Sequence, residues 1–220
     1  MKIYCRSQSF CQIPGLPIRQ LALLLETFKM HYPDHYPLLL TMARTGMRIG
    51  EVLGLQWDDI DFYGRFITIQ RNIFRGNIET PKNGKIRRID MSNQLTEVLQ
   101  DLHRQRKVET LKKGWHQVPE WVFISETGGK LNSSNWRNRV FNKALEKAKL
   151  RKIHPHVLRH TYASLLIQAG VSLAYIRDQL GHHSIKVTVD IYGHLAPEGN
   201  KAAVDFLDED AHGRALYAHK

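Results

Sequence analysis

Apolar residues recur along this chain with two periods, and the switch between them divides it. From Ile18 onward, Leu21, Leu24, Leu25 and Phe28 fall at helical spacing, as in a helix buried along one face. Pro37 through Arg44 predicts a second helix, broken near Gly46, and a third starts close to Arg48 and carries Val52, Leu53 and Leu55. Trp57 and Ile60 alternate with Asp58, Asp59 and Asp61 in a turn. Between residues 66 and 90 the period shortens. Phe66, Ile67 and Ile69 form a β-rich run, Arg75-Gly76-Asn77 and Lys82-Asn83-Gly84-Lys85 carry turn residues, and Ile86-Arg87-Arg88-Ile89 reads as a returning strand.

Helical spacing resumes at Ser92, a candidate N-cap for a long helix through Leu95, Val98, Leu99 and Leu102 that ends near Gly114. Trp121-Val122-Phe123-Ile124 predicts one more short strand. Ser133 or Ser134 is expected to cap a helix containing Val140, Phe141, Ala144 and Leu145, and Pro155 suits the first turn of the next, which runs to Gly170. Ser172 to Leu180 forms another, closed by Gly181, and a short helix is expected over 197–208. The fold class is therefore α+β, mostly α-helical, with a small antiparallel β-sheet of two or three strands. Residues 1–16 lack any period and read as a linker or remnant, 17–208 as one domain, and 209–220 as an acidic, His-containing tail.

Composition narrows the function. Hydrophobic residues make up 42% of the 220, enough for a core, yet no apolar run approaches the roughly 18 residues a membrane span needs. The N-terminus has no apolar stretch of signal-peptide type, and Cys5 and Cys11 both precede the domain, so a cytoplasmic protein is the default. The formal net charge is +11, unevenly spread: residues 111–160 carry 11 basic and 3 acidic groups, residues 161–220 only 5 and 7. Basic groups gathered in one region suit a polyanion, whose condensed counterions are released on binding.

Four segments carry candidate chemistry. In His154-Pro155-His156-Val157-Leu158-Arg159-His160, His156 and Arg159 share a helix face, where a guanidinium can fork onto two phosphate oxygens beside an imidazole that shares a proton. A basic helix start with a core histidine would look the same. His156 and His160 also have metal-ligand spacing, but no acid joins them and Arg159 would repel a cation. Leu180-Gly181-His182 precedes Tyr192, a phenol that becomes a nucleophile only if positive groups stabilise its anion, and otherwise is an ordinary half-buried aromatic. Arg48 and Glu51 lie one helical turn apart, an exposed pair or an acid that aims the arginine. Lys82 sits in a turn, where most lysines are solvated.

Taken in order, TGMRIGE, a hairpin lysine, HVLRH, LGH and a tyrosine ten residues on resemble the tyrosine recombinase (phage integrase) family. The longer strings TGMRIGEVLGLQWDDID, PHVLRHTYAS and LGHHSIKVTVDIYGHL extend the resemblance from about Leu21 to Leu207. It implies that Arg48 and Arg159 grip the scissile phosphate, His182 adds a hydrogen bond to it, Lys82 protonates the departing 5′-oxygen, and His156 assists proton transfer from the nucleophile. Tyr192 would attack phosphorus and leave a 3′-phosphotyrosyl link, with Glu51 in support and His160 a structural histidine under the site. The resemblance implies no metal or nucleotide cofactor, double-stranded DNA as partner, and a tetramer on DNA. Lys130, Arg137, Arg139 and Lys143 are the expected DNA-backbone contacts. Related enzymes carry a helical DNA-clamping domain ahead of this one, and residues 1–16 would be the remnant of its connection. A relaxing activity of type IB topoisomerase kind and a DNA-binding protein without turnover are the alternative functions.

Overall fold

The structure, a computed structural model, describes residues 15–80 and 86–195. Its helices gather around one that is buried on nearly every side. That helix is α2 (Tyr36–Thr45), in which Pro37 to Ala43 and Thr45 are all buried, and it packs against α1 (Ile18–His31), α3 (Ile49–Leu53), α4 (Asn93–Lys113) and α7 (Val157–Gln168). A helix surrounded in this way must satisfy every polar group internally. The two buried hydroxyls do so by donating to carbonyls four residues back, Thr41 Oγ1 to Pro37 O at 2.8 Å and Thr45 Oγ1 to Thr41 O at 2.6 Å.

The sheet matches its expectation. β1 (Ile60–Asp61), β2 (Phe66–Ile69) and β5 (Arg87–Asp90) pair antiparallel in the order β1-β2-β5, with Ile67 opposite Ile89 and both fully buried. A separate hairpin, β3 (Asn72–Phe74) and β4 (Asn77–Glu79), turns at Arg75-Gly76 and lies against α3. The turn at 82–85 lies outside the described residues. Ser92 caps α4 as expected, its hydroxyl accepting from Leu95 N at 3.3 Å, and Gly114 closes it.

Four local expectations differ. Trp121 and Ile124 make only isolated bridges, to Gln56 and Lys130, because the chain there covers loop edges rather than a continuous strand. The cap of α5 (Ser133–Trp136) is Asn132, directly before the two serines, and its side chain accepts from Asn135 N at 2.9 Å. A π-turn at Arg137–Phe141 leads from α5 into α6 (Asn142–Lys147). Pro155 lies two residues ahead of α7, whose N-cap is His156. The largest difference follows α8 (Leu173–Leu180): no element is expected over 185–192, yet Ile185–Tyr192 forms α9, capped by Ser184. The helix expected over 197–208 and the tail 209–220 lie outside the described residues, as do most of residues 1–16. Leu16 is buried, and its N–H donates to Thr161 Oγ1 at 2.8 Å.

Apolar packing forms two clusters. The larger joins α1 to α6 and the sheet; the smaller is built from Tyr162, Ala163, Ile167, Ile176, Leu180 and Tyr192 on α7, α8 and α9. Among the described residues no helix is long and apolar enough to cross a membrane.

Candidate active site

Two helix ends and one strand converge on the site. α2 ends at Gly46 and α8 at Gly181, each glycine in the left-handed backbone conformation (φ 62° and 65°) that a side chain would strain. Between these ends lies the Arg159 side chain of α7, which is buried. Its Nη1 donates to Gly46 O at 2.9 Å and its Nη2 to Leu180 O at 2.6 Å, so one guanidinium ties both helix C-termini together. A cation there is favoured by the helix dipoles. Burial and then the Arg48 charge lower its pKa to about 9, which leaves it cationic at neutral pH.

Arg48 N-caps α3, and Glu51 one turn later takes its backbone N–H at 2.9 Å and its Nη1 at 3.0 Å. The Glu51 carboxylate is buried, and Arg87 of β5 grips it with both terminal nitrogens, at 3.0 and 2.7 Å. Burial pushes this carboxyl up, but the hydrogen bonds and charges of Arg87 and then Arg48 more than offset that and hold it below the ordinary carboxylate value. Two guanidiniums thus share a single buried carboxylate, and the third, Arg159, feels its charge without touching it.

The imidazoles feel that positive surplus. Partial desolvation, then the charges of His160, Arg159 and Arg48, hold His156 down to about 4. Desolvation, then Arg159 and Arg48, does the same to His182. Both are neutral at pH 7. The His182 Nδ1 lies 2.9 Å from the hydroxyl of Thr188, a fully buried residue of α9, so that helix sets the ring's direction.

Tyr192 is the last residue of α9 and only 1% exposed. Its hydroxyl shares a 2.7 Å hydrogen bond with His160 Nδ1, not with His156, and the His156 ring stands edge-on to that of His160 at 5.0 Å between centroids. Burial raises the phenol to about 12, with Arg159 opposing the rise. In front of these groups opens a cleft of about 770 Å³ whose wall includes Arg48, Glu51, His156, Lys130 and the β3–β4 hairpin.

A family model of the phage integrase family matches residues 16–198. The chain belongs to that family. A tyrosine recombinase XerC-like protein of Caldanaerobacter subterraneus subsp. tengcongensis is 30% identical over 225 residues, covering 90% of this chain and 57% of its own length. The ICEBs1 integrase of Bacillus subtilis is 30% identical over 183 residues, covering 75% of this chain and 46% of its own. The chain thus spans roughly half the length of these relatives. Among solved structures, the Tn1549 transposon integrase in complex with circular intermediate DNA superposes with a TM-score of 0.71 at 23% identity, over 89% of this chain and 66% of that one. The catalytic domain of bacteriophage HP1 integrase does so at 0.61 and 20%, over 91% and 98%. The helical fold with its small sheet is that of tyrosine recombinase catalytic domains.

Within this integrase fold the structure gathers five of the sequence-predicted residues, Arg48, Glu51, His156, Arg159 and His182, around Tyr192. Lys82 lies outside the described residues. Of the expected backbone contacts, exposed Lys130 forms part of the cleft wall, and Arg137 reaches His154, another wall residue, at 3.3 Å. Arg139 and Lys143 are exposed beyond the cleft, on the π-turn and α6. Two residues of the site, Arg87 and Thr188, and the contact between His160 and the phenol were not foreseen from the sequence. Arg87 left a signal, since it shares a strand face with Ile89, and an inward arginine requires a buried partner.

Proposed function

We propose that this chain is the catalytic part of a site-specific DNA recombinase, cutting and rejoining double-stranded DNA through a 3′-phosphotyrosyl link on Tyr192. What carries the proposal is the charge balance of the site. Arg48, Arg87 and Arg159 face one carboxylate, with two neutral imidazoles and a phenol beside them, and the missing negative charge is that of a phosphodiester.

Arg48 and Arg159 would hold the non-bridging oxygens and offset the charge that grows on the pentacoordinate phosphorus, each worth about 3–4 kcal/mol in the transition state. His182 would donate a further hydrogen bond, and His156, open to the cleft, would assist proton movement at the phosphate. Lys82 would protonate the leaving 5′-oxygen. The bond energy is kept in the tyrosyl phosphodiester, so a 5′-hydroxyl from another strand reverses the step. Relatives named integrases and a transposon integrase bound to circular intermediate DNA support integration or excision of phage or mobile DNA as the biological setting. The reading places that reaction in the cytoplasm, with the protein a tetramer on DNA.

A nicked suicide substrate tests this. Wild-type protein is expected to form a protease-sensitive covalent adduct with DNA and no added metal, and Tyr192→Phe to form none. An adduct that survives in Tyr192→Phe, or that requires a divalent ion, overturns the proposal.

A further inference from the structure

β5 is an edge strand of the sheet, and its first residue, Arg87, is not a surface charge: only 12% of its side chain is exposed. Each of its three guanidinium nitrogens donates one bond, in a specific pattern. Glu51 Oε1 receives Nη1 of Arg87 and Nη1 of Arg48, both at 3.0 Å; Glu51 Oε2 receives Nη2 of Arg87 at 2.7 Å and the Arg48 backbone N–H at 2.9 Å. Each carboxylate oxygen therefore takes one donor from each arginine, and the plane of the carboxylate is fixed from two sides. The third edge of the fork, Nε, donates to Gln179 O at 3.3 Å, near the C-terminal end of α8. A Cβ on Gly181 would come within 2.8–2.9 Å of Arg87 Cδ, Nε and Cζ, so the guanidinium lies directly on that backbone.

These contacts close a ring. Arg48 is held by Glu51, Glu51 by Arg87, Arg87 against the end of α8, the end of α8 by Arg159 through Leu180 O, and Arg159 by Gly46 O, two residues before Arg48. His182 follows Gly181, the residue Arg87 lies against, and feels the Arg87 charge. The strand edge is fastened to α8 twice more, by Asp90 N to Gln179 Oε1 at 2.9 Å and by Tyr175 OH to Asp90 Oδ2 at 2.6 Å.

We propose that Arg87 is a positioning residue for DNA cleavage: through Glu51 it aims the phosphate-gripping Arg48, and through the end of α8 it keeps that arginine in register with Arg159 and His182. The proposal rests on the strand-transfer reading of the site. Arg87 touches no DNA in this role. Its effect passes through a carboxylate whose direction needs both arginines, so its loss lets Arg48 swing while Arg48 itself remains. A displacement of about 1 Å at a reacting centre is enough for a rate loss on the order of 10²-fold.

A buried ion pair also supports folding, and removing one partner leaves a charge unpaired. Two sets of variants separate the roles. Arg87→Met is expected to lower thermal stability, and Glu51→Gln with Arg87→Met to recover much of it, because the fully buried carboxylate is then neutral while the Arg48 it leaves is partly exposed. In single-turnover adduct formation on the nicked substrate, Arg87→Met and Arg87→Lys should both lose on the order of 10²-fold in rate at saturating protein, with the DNA Kd within about threefold of wild type. Lysine keeps the charge but cannot bridge both carboxylate oxygens. Arg48→Lys with Arg87→Met should be no slower than Arg48→Lys alone, since both act through one group. Cleavage at the wild-type rate in Arg87→Met, rescue by Arg87→Lys, a loss confined to Kd, or losses that multiply with Arg48→Lys would each overturn the proposal. Absence of any adduct with the wild-type protein would instead overturn the strand-transfer reading, and the role of Arg87 with it.

Discussion

His160 Nδ1 and the Tyr192 hydroxyl stand 2.7 Å apart inside the smaller apolar cluster, where the tyrosine is 1% exposed. The proposed nucleophile is thus a core residue whose polar end is satisfied by the histidine next to Arg159 on α7. Burial, then the Arg159 charge, lowers the His160 pKa, so the ring is neutral and able to share a proton with the phenol. Removing it leaves a buried hydroxyl without its partner, at a cost of about 1–3 kcal/mol.

His160→Ala is therefore expected to lower Tm by several degrees and to slow adduct formation by at least about tenfold, with DNA affinity unchanged. His160→Gln, which can offer a hydrogen bond from a nearby position, should recover part of both losses. The measurements are thermal unfolding and single-turnover cleavage on the nicked substrate. Adduct formation at the wild-type rate in His160→Ala would mean that the contact has no part in the chemistry.

Stability should fall on acidification in a defined window. In the folded protein His156 and His182 are held to about 4, against 6.5 for an unperturbed histidine. A depressed folded value means that the unfolded chain binds protons first. Their contribution is fully present above pH 6.5 and is lost as pH falls from there towards 4; the depressed Glu51 carboxyl extends the loss below its ordinary value of 4.5. Denaturant unfolding between pH 7 and 4 checks the sign, and His156→Gln with His182→Gln should flatten the upper part of that slope. An unchanged slope would place the acid sensitivity elsewhere.

Thr188 offers a narrower test of how α9 serves the site. Its hydroxyl meets His182 Nδ1 at 2.9 Å, which leaves Nε2 as the nitrogen free to face a phosphate. Thr188→Val keeps the shape and removes that bond, a change of about 1 kcal/mol, or roughly fivefold in cleavage rate. In a His182→Ala background the same substitution should have no further effect on the rate. A full fivefold loss in that background would show that Thr188 acts through packing alone.

The parts of this molecule that were legible in the sequence are those whose cause is local. Ser92 before Leu95 and Leu99, the run of Leu38 to Ala43 broken only by Thr41, and the glycines closing α2 and α8 all announce themselves within a few residues. The helix carrying Tyr192 did not, because its β-branched run Ile185, Val187, Thr188, Val189 and Ile191 disfavours helix intrinsically and is held there by packing on α7 and α8. Arg48, Glu51, Arg159, His156 and His182 were readable as motifs. Their partners Arg87 and Thr188 were not: the ion pair of Arg87 with Glu51 spans 36 positions in the chain, and no spacing rule reaches that far.

DNA affinity should depend steeply on salt, with the contributions divided by position. Each phosphate contact neutralised by a basic side chain adds about 0.9 to the slope of log K against log salt. Lys130 stands in the cleft wall beside Arg48, and Arg137 is tied to His154 of the same wall. Arg139 and Lys143 project from the next turns of the same helical segment, exposed and outside the cleft. Replacing Lys130 and Arg137 with glutamine should reduce the slope by about two and slow cleavage, because both flank the scissile position. Replacing Arg139 and Lys143 should reduce the slope by a similar amount if the duplex continues along that segment, with cleavage at saturating protein unaffected. Binding titrations at four or more salt concentrations check both pairs, and a slope unchanged in all four variants would move the DNA path to another face of the domain.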